Sequence, residues 1–517
     1  MEPPRARFNL MRKKKTKPAA RAKHVAGRAP ARVYAETVLA VNFEDAKRYF
    51  LGALLEIHAA HTLMLERQKI LSLEVARSCL HGLQALDLAA ISKAAYDGTF
   101  EDLFFYVEDQ LARECGEDVA GRMHTARSRN DIDLAMYRMV LRKAILGTVK
   151  ETREVRKVLL DLAAEHDGTL MPAYTHTQPA QPTTLAHYLL GMIEVFGRDE
   201  ERLRAAFTTV NRSPLGACAI ATTAFPIDRE YTASLLGFEG LQLNSYGAIA
   251  SVDYVTQAAS AVAVEMVNLG RFVQDLLLWC TAEFGFLRLA EGYVQTSSIM
   301  PQKRNPVSLE HARILASKAF SQSQAVLTCV HNTPFGDIVD SEDDLQPLVF
   351  SAFSDAARVL RLLAGVMQDA QFDCGRLRQC AAGGFLTVTE LADTLVRDEG
   401  VSFRQAHRLV SAAVKAAGPD VRSARLAEEV EKLAPRMLGH SLATSRNALV
   451  RALDPESFVL TRTIAGGPAP HAVAHQIEQA RRDLVDGATW IEKKSILLKT
   501  YPDELRRRSR SVQERLS

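Results

Sequence analysis

The stretch "VTQAASAVAVEMVNLGRFVQDLLLWCTAEFGFL", residues 255–287, decides the fold class of this chain. It contains no proline and is rich in residues that favour helices. Its apolar side chains recur at the i, i+3, i+4 spacing of one helix face: Val262, Met266, Leu269, Phe272, Val273, Leu276, Leu277 and Cys280. That face is wide, as it is in a helix that is buried on several sides. The stretch therefore predicts one long helix inside a helical bundle.

Much of the remaining chain has the same helical character. Long proline-free intervals are rich in Ala, Leu, Glu, Arg and Gln, and residues 133–167 and 183–212 predict two further long helices. No run of alternating apolar and polar residues predicts a strand, so we expect an all-α protein. Helices that are long and apolar around much of their circumference favour a bundle completed by other subunits.

The positive charge of the chain is concentrated at its N-terminus. The 517 residues carry a net charge of +3, yet residues 1–32 hold eleven Lys or Arg and a single acid, Glu2. Residues 1–26 are therefore predicted to be a basic disordered extension, with a targeting or nucleic-acid-binding arm as the alternative. The segment lacks the apolar centre of a secretory signal.

Cysteine usage and hydropathy favour a cytoplasmic protein. The seven cysteines are scattered, odd in number and without a C-x-x-C pair, which favours a reducing compartment without a disulfide framework or a zinc site. No apolar run approaches the roughly 18 residues that a membrane span needs. We expect neither a membrane nor nucleic acid as a partner.

Three short polar segments, which we call the polar islands, interrupt the helical pattern. The first island is "HTARSRNDID" (124–133), the second is "YTHTQPAQP" (174–182) and the third is "SSIMPQKRNP" (297–306). The first and third combine cations, hydroxyls and an amide, which suits the binding of a carboxylate or a phosphate. Taken singly, each island is more often a structural feature: a solvated helix cap, a structural histidine or a basic turn.

Together the islands resemble the fumarase/aspartase superfamily and, within it, the argininosuccinate lyases. The third island is similar to the superfamily signature S-S-x-M-P-x-K-x-N. The first is similar to H-T-G-R-S-R-N-D and the second to Y-T-H-x-Q-x-A-Q-P of argininosuccinate lyases. Weaker similarity, as in "EDLFFYVE" (101–108), extends the resemblance over about residues 27–485.

The resemblance implies a three-domain fumarase/aspartase-like fold with a central long-helix bundle. Residues 27–125 would form an N-terminal helical domain, residues 126–375 the bundle domain with the catalytic loop, and residues 376–485 a C-terminal helical domain. Residues 486–517 would form a C-terminal tail. The family assembles as a homotetramer in which each active site is built from three subunits, and the resemblance implies the same assembly here.

The resemblance also implies a reaction, the reversible β-elimination of an amine from an N-substituted aspartate such as argininosuccinate, which releases fumarate. The difficult step is removal of a proton beside a carboxylate, because that carboxylate must then carry a second negative charge. Ser298 would take the proton, while Lys303 and Asn305 would stabilise the charge. Glu310 would pair with His176, the histidine of the catalytic site. The resemblance implies no metal and no organic cofactor.

The remaining residues implied by the resemblance contact the substrate. In the first island, Ser128, Arg129 and Asn130 would hold the succinyl carboxylates. In the other two islands, the residues that would contact or enclose the substrate are Thr175, Gln178, Ser297 and Met300.

The positions that handle the leaving amine depart from the argininosuccinate lyase pattern. Val307 stands where that family commonly has Asp. The segment "DIVDSEDDL" (337–345) aligns with Y-N-K-D-M-Q-E-D-K, so that Asp337, Glu342 and Leu345 replace Tyr, Gln and Lys. A different N-succinyl amine is therefore the alternative substrate. A non-catalytic, crystallin-like structural protein is the alternative from another class.

Overall fold

The computed structural model describes residues 30–418 and 422–515, and the predicted basic extension at residues 1–26 lies outside them. In these residues the chain is predominantly helical, and its strands form three two-stranded sheets. The all-α prediction is confirmed. None of the described helices is long and apolar enough to span a membrane.

The described part of the N-terminal region contains seven α-helices: α1 (Arg32–Tyr34), α2 (Ala40–Tyr49), α3 (Leu51–Arg67), α4 (Leu73–Ala85), α5 (Leu88–Lys93), α6 (Leu103–Cys115) and α7 (Glu117–Met123). A π-helical segment, Ala35–Leu39, joins α1 to α2. The central helix of this group, α3, buries Leu54 and Ile57. The start of α6 is fixed by Asp102, whose carboxylate accepts a hydrogen bond from the Phe105 N–H at 3.0 Å.

The central bundle contains five long helices and two short ones: α8 (Arg129–Glu165), α9 (Leu185–Val210), α10 (Arg229–Leu235), α11 (Ser245–Ala250), α12 (Asp253–Trp279), α13 (Val307–Val330) and α14 (Gln346–Gln368). The long helices pack in a ring, because α8 contacts α9, α9 contacts α12, α12 contacts α13, α13 contacts α14, and α14 contacts α8. The helices predicted at residues 133–167 and 183–212 correspond to α8 and α9.

The helix predicted at residues 255–287 is present, but its predicted C-terminal end is wrong. Helix α12 ends at Trp279. Gly285 then adopts a left-handed φ of +62°, and the Phe286 N–H donates to the Trp279 carbonyl at 3.0 Å. The chain thus turns back and buries Phe286. The apolar pattern continues through this turn, so periodicity alone could not show the end of the helix.

A β-hairpin that the sequence pattern did not predict joins α8 to α9. Strands β1 (Leu170–Thr175) and β2 (Gln178–Thr184) are antiparallel. Four shorter strands form two further pairs: β3 (Leu287–Arg288) with β6 (Gln371–Phe372), and β4 (Gln295–Thr296) with β5 (Arg304–Asn305). The hairpin contains Pro172, Pro179 and Pro182, which normally argue against a strand. They are tolerated because both strands of a two-stranded sheet are edge strands.

The C-terminal region contains six short helices and one very long one: α15 (Cys374–Ala381), α16 (Val388–Glu399), α17 (Phe403–Ala417), α18 (Ser423–Leu438), α19 (Arg446–Ala452), α20 (Pro455–Leu460) and α21 (Pro470–Glu514). Helices α16 to α19 share an apolar core that is separate from the core of the bundle. Helix α21 runs across the predicted boundary at residue 485 and packs against α3, α4, α8 and α9. The predicted domain boundaries remain predictions.

A buried carboxyl group lies between α8, α9 and α12. Glu265 is fully buried, and its Oε1 lies 2.5 Å from the hydroxyl of Thr152. That hydroxyl also lies 3.0 Å from the Thr148 carbonyl oxygen. A hydroxyl has one hydrogen, so both contacts are hydrogen bonds when Glu265 is protonated and donates to Thr152. Burial, followed by the charges of Asp199 and Glu200, raises the pKa of Glu265 to about 8.

Replacing Glu265 by Gln is expected to stabilise the protein increasingly as the pH rises. The pKa of Glu265 in the folded protein lies above the usual 4.5 of Glu. The contribution of Glu265 to the free energy of unfolding is therefore fully present below pH 4.5 and is lost as the pH rises through about 8. Between pH 4.5 and about 8, titration of Glu265 lowers the free energy of unfolding of the wild type by up to about 1.4 kcal/mol per pH unit. The variant has no such titration at this position.

Denaturant unfolding at several pH values measures the difference in unfolding free energy between E265Q and the wild type. The matched control is E283Q, because Glu283 is exposed. The difference should grow with pH for E265Q and stay constant for E283Q. A constant difference for E265Q would show that folding does not raise the pKa of Glu265.

Candidate active site

The first island forms the start of α8. Ser128 adopts an extended backbone conformation as the N-cap, and its N–H donates to Asp131 Oδ1 at 3.1 Å. Asp131 Oδ2 accepts from the N–H groups of Gly216 and Cys218 at 2.8 and 2.9 Å. Burial raises the pKa of Asp131 to about 6, although these backbone donors oppose the shift. Through these hydrogen bonds Asp131 holds the loop that contains Gly216 and Cys218 next to the first island.

Arg129 is held at the edge of this site by two carboxylates. Its Nη1 lies 2.7 Å from Asp102 and 3.2 Å from Glu101, and its guanidinium lies over the Phe105 ring at 5.6 Å. The side chain remains 32% exposed. Both ion pairs are closest at Nη1, and a guanidinium has five N–H donors, so it retains donors for a substrate carboxylate.

The acidic segment, residues 337–345, lies beside the first island in the same chain. The Tyr137 hydroxyl of α8 donates to Asp343 at 2.7 Å. Burial, followed by the charges of Asp337 and Asp343, raises the pKa of Glu342 to about 7, and the charge of Arg129 opposes this. Burial and the charge of Asp343 also raise the pKa of Asp133, on α8, well above its usual range. Glu342 is thus within electrostatic reach of the predicted substrate-binding arginine, and Asp337 is hydrogen-bonded to Glu342.

The second island forms the end of β1, the turn of the hairpin and most of β2. His176 and Thr177 have φ values of +51° and +62°, as in the two-residue turns that connect twisted strands. Thr175 pairs with Gln178 across the turn. The turn presents the His176 ring to solvent, and the ring makes no hydrogen bond or ion pair with any residue in the described ranges. His176 is therefore available to a group outside this chain.

The third island is an exposed loop. Pairing of Gln295 with Asn305 and of Thr296 with Arg304 closes its base. Within the loop, Ser297 Oγ accepts from the Met300 N–H at 3.1 Å. Arg304, at the base, forms an ion pair with Glu291.

The tip of this loop carries the residues with predicted catalytic roles. Ser298 and Lys303 are exposed, as is Glu310 in the first turn of α13. Their side chains make no hydrogen bond or ion pair with the part of the chain that the structure describes. In particular, the predicted pairing of Glu310 with His176 does not occur within one chain.

The first island lies at the opposite end of the bundle from the other two. Helix α8 has 37 residues, so about 55 Å separate its two ends at 1.5 Å per residue. The hairpin follows the far end, where the Tyr174 ring lies 5.7 Å from that of Phe284 beyond the end of α12. The third island is at this far end too, since Arg313 near the start of α13 donates to Gln274 near the end of α12 at 2.9 Å. One chain therefore cannot bring all three islands to one small substrate.

Long-range partners of the first island were missed by sequence reasoning. Arg127 is buried, and its Nη1 donates to His58 Nδ1 at 2.8 Å. Its Nη2 lies 3.4 Å from Glu108. Burial, followed by the charge of Arg127, lowers the pKa of His58 well below its usual range. Arg127 thus anchors the island to α3 and α6. Glu108 ends the motif "EDLFFYVE", but no local signal marks His58.

Comparison with known families identifies two matching regions. The family described as "Lyase" matches residues 89–321, which include all three islands. The family described as "Argininosuccinate lyase C-terminal" matches residues 385–460.

Similar proteins of known name cover most of the chain. Argininosuccinate lyase 2 of Agrobacterium fabrum is 42% identical over 445 residues, which are 85% of this chain and 88% of that protein. Argininosuccinate lyase of Methanoculleus marisnigri is 40% identical over 448 residues, covering 87% of this chain and 90% of that protein.

Solved structures show the same fold. EDDS lyase in complex with formate has a TM-score of 0.84 and 32% identity, and the match covers 92% of this chain and 96% of that chain. A fumarate lyase from Mesorhizobium sp. BNC1 has a TM-score of 0.67 over 88% of this chain and 100% of that chain, and its 18% identity shows the fold alone. The relatives and the shared fold lead to one conclusion: the chain is a lyase and belongs to the argininosuccinate lyase family of the fumarase/aspartase superfamily.

Proposed function

We propose that the protein catalyses the reversible cleavage of argininosuccinate into fumarate and arginine. The observation that carries this proposal is the exposed loop of the third island. It presents Ser298 and Lys303 to solvent, and its base holds Asn305. Such a loop offers a proton acceptor and a cation to a substrate that arrives from outside the chain.

The chemistry is a β-elimination from the succinyl half of the substrate. A base removes a proton from the carbon beside one carboxylate, and the electron pair of that C–H bond forms the new double bond. The C–N bond to the neighbouring carbon then breaks, and the amine leaves with its bonding electrons and gains a proton. The products are fumarate and the free amine, so atoms and charge balance.

Ser298 is the proposed base. A serine hydroxyl is a weak base, so its deprotonated form must be stabilised by nearby positive charge. Lys303 lies on the same loop and can supply that charge. Lys303 and Asn305 also stabilise the carboxylate that becomes doubly charged during proton removal. Met300 and Ser297 shape the loop that closes over the substrate and excludes water.

The other two islands are proposed to bind and orient the substrate. Ser128, Arg129 and Asn130 hold the succinyl carboxylates at the start of α8, where the helix dipole and the guanidinium both favour negative charge. The hairpin contributes Thr175 and Gln178 as contacts. It also contributes His176, which Glu310 orients and charges from another chain.

The proposed assembly is a homotetramer in which different chains supply the islands to each active site. The separation of the first island from the other two along α8 supports this arrangement. Exposed apolar side chains on the bundle support it as well, because Val264 and Val267 of α12 and Ile314 of α13 are 39%, 46% and 60% exposed. A bundle completed by other copies would cover them.

Cytoplasmic location is proposed for this enzyme, with a small molecule as its substrate. All seven cysteines are free of disulfide bonds, including the buried Cys79 and Cys218. Free thiols are typical of proteins from a reducing compartment.

The similar proteins favour argininosuccinate over the alternative N-succinyl amines. The relatives at 40–42% identity are argininosuccinate lyases, whereas EDDS lyase is 32% identical. The acidic segment suits the guanidinium and the α-ammonium of the arginine half, since opposite charges attract across a few ångströms. The exposed catalytic loop and the named relatives also argue against a purely structural protein.

The direct test is to supply argininosuccinate to the purified protein and follow the ultraviolet absorbance of the fumarate that forms. We expect a kcat/KM of at least about 10⁴ M⁻¹s⁻¹, in the ordinary range of enzymes. Succinyl adducts of simple amines serve as competing substrates. Cleavage of those adducts with argininosuccinate left intact would contradict the proposed substrate but not the elimination chemistry.

A further inference from the structure

A cleft of about 600 Å³ lies between the hairpin, the bundle and the C-terminal region. Its walls come from β1, β2, α9, α12 and α20, and the residues used below are Tyr188, Asp275, Trp279, Phe458 and Arg462. A volume of this size is typical of sites for small organic ligands. Neither Tyr188, Asp275 nor Trp279 takes part in the proposed elimination.

Asp275 contributes a carboxylate to the cleft. The Tyr188 hydroxyl donates to Asp275 Oδ2 at 2.7 Å. Neither oxygen of Asp275 forms an ion pair with a residue in the described part of the chain. The side chain is half-buried, so water screens its charge only in part.

Two further polar side chains of the cleft, Arg462 and His187, already have partners. Arg462 forms an ion pair with Glu390 and lies 3.4 Å over the Phe458 ring. The ring nitrogens of His187 lie 2.8 Å from the Thr183 hydroxyl and 2.8 Å from the Gly466 carbonyl oxygen. Arg271, one helical turn before Asp275, is exposed and acts electrostatically on the Tyr188 hydroxyl, but it forms no ion pair with Asp275. Asp275 is therefore the charged group of the cleft that no described residue pairs with.

Two aromatic rings lie beside this carboxylate, Tyr188 through its hydrogen bond and Trp279 through its contact with Tyr188. The centroid of Tyr188 lies 4.8 Å from that of Trp279, with the planes tilted by 53°. Trp279, one helical turn after Asp275, is 4% exposed and lines the cleft. Aromatic faces and a carboxylate both attract a cation, and apolar walls favour an apolar body on the same molecule.

We propose that this cleft binds a small organic cation, a protonated amine or a guanidinium carried on an apolar body, with its charge between Asp275 and the rings of Tyr188 and Trp279. An anion of the same shape is repelled by Asp275. A neutral molecule of the same shape gains the apolar contacts but not the electrostatic attraction.

The chain provides its own reporter for this site, because it contains only two tryptophans. The second, Trp490 on α21, packs against Phe207 outside the cleft. Replacing Trp490 by Phe leaves Trp279 as the only tryptophan. Titrating the full-length W490F protein with benzylammonium, benzyl alcohol and benzoate should change Trp279 fluorescence with benzylammonium at the lowest concentration. We expect benzylammonium to bind at least about tenfold more tightly than benzyl alcohol.

A charge-removing variant locates the cation. D275N in the W490F background should weaken benzylammonium binding at least about tenfold and leave benzyl alcohol unchanged. The matched control is D161N, because Asp161 is an exposed carboxylate on α8. Both variants should retain fumarate formation, which shows that they fold and assemble.

Three results would overturn the proposal. One is equal affinity for the charged and the neutral probe in W490F, a comparison that does not depend on how D275N folds. Another is unchanged affinity for benzylammonium in D275N. The third is the absence of any change in Trp279 fluorescence with benzylammonium, as expected if a second copy of the chain fills the cleft.

Discussion

Replacing Ser298 by alanine is expected to lower kcat for fumarate formation by about 10²-fold or more, the usual effect of losing a general base. The hydroxyl is exposed and makes no hydrogen bond with the described residues, so its removal should cost the fold nothing. Thermal unfolding and size-exclusion chromatography should therefore give the wild-type result. Loss of rate without loss of structure is the behaviour of a reacting group.

A neighbouring hydroxyl provides the matched control. Thr296 is exposed on β4, two residues before Ser298, and has no role in the proposed reaction. T296A should retain most of the wild-type rate. If S298A kept more than about a tenth of that rate, Ser298 would not be the base, because general-base loss is larger than this.

The sequence predicted the long helices because their signal is local. Apolar residues at helical spacing and the absence of proline are visible within a single stretch, and α8, α9 and the body of α12 follow them. The hairpin escaped prediction because its strands lack alternation and contain prolines. Its existence depends on the left-handed turn at His176 and Thr177 and on packing against distant parts of the chain.

The three islands could be identified from sequence because each is a compact motif. Their surroundings could not, because the contacts join residues that are far apart along the chain. Examples are the bond from Arg127 to His58 and the bonds from the Gly216 and Cys218 N–H groups to Asp131. The alignment of the acidic segment singled out Asp337 and Glu342, but only the structure shows that Asp343 is held by Tyr137.

The second large effect expected is the recovery of activity when two inactive variants are combined. R129A lacks the proposed succinate-binding cation of the first island, and S298A lacks the proposed base of the third. Each should be nearly inactive alone. If one active site takes these two islands from different chains, a mixed tetramer contains some sites in which both are wild type. A site built from one chain could never be repaired in this way.

Random mixing sets the size of this recovery. In tetramers formed from equal amounts of R129A and S298A, each island of a site comes from either parent with equal chance. About a quarter of the sites then contain both wild-type residues, so about a quarter of the wild-type activity should return. The control pair is S298A with K303A, because both changes lie on one loop and always come from the same chain. This pair should recover nothing.

The rate of fumarate formation from argininosuccinate by co-expressed R129A and S298A therefore tests the shared active site most directly. About a quarter of the wild-type rate, with no recovery for S298A and K303A together, is the predicted result. Activity that stays at the level of the separate variants, in tetramers that are shown to contain both chains, would contradict an active site assembled from several subunits.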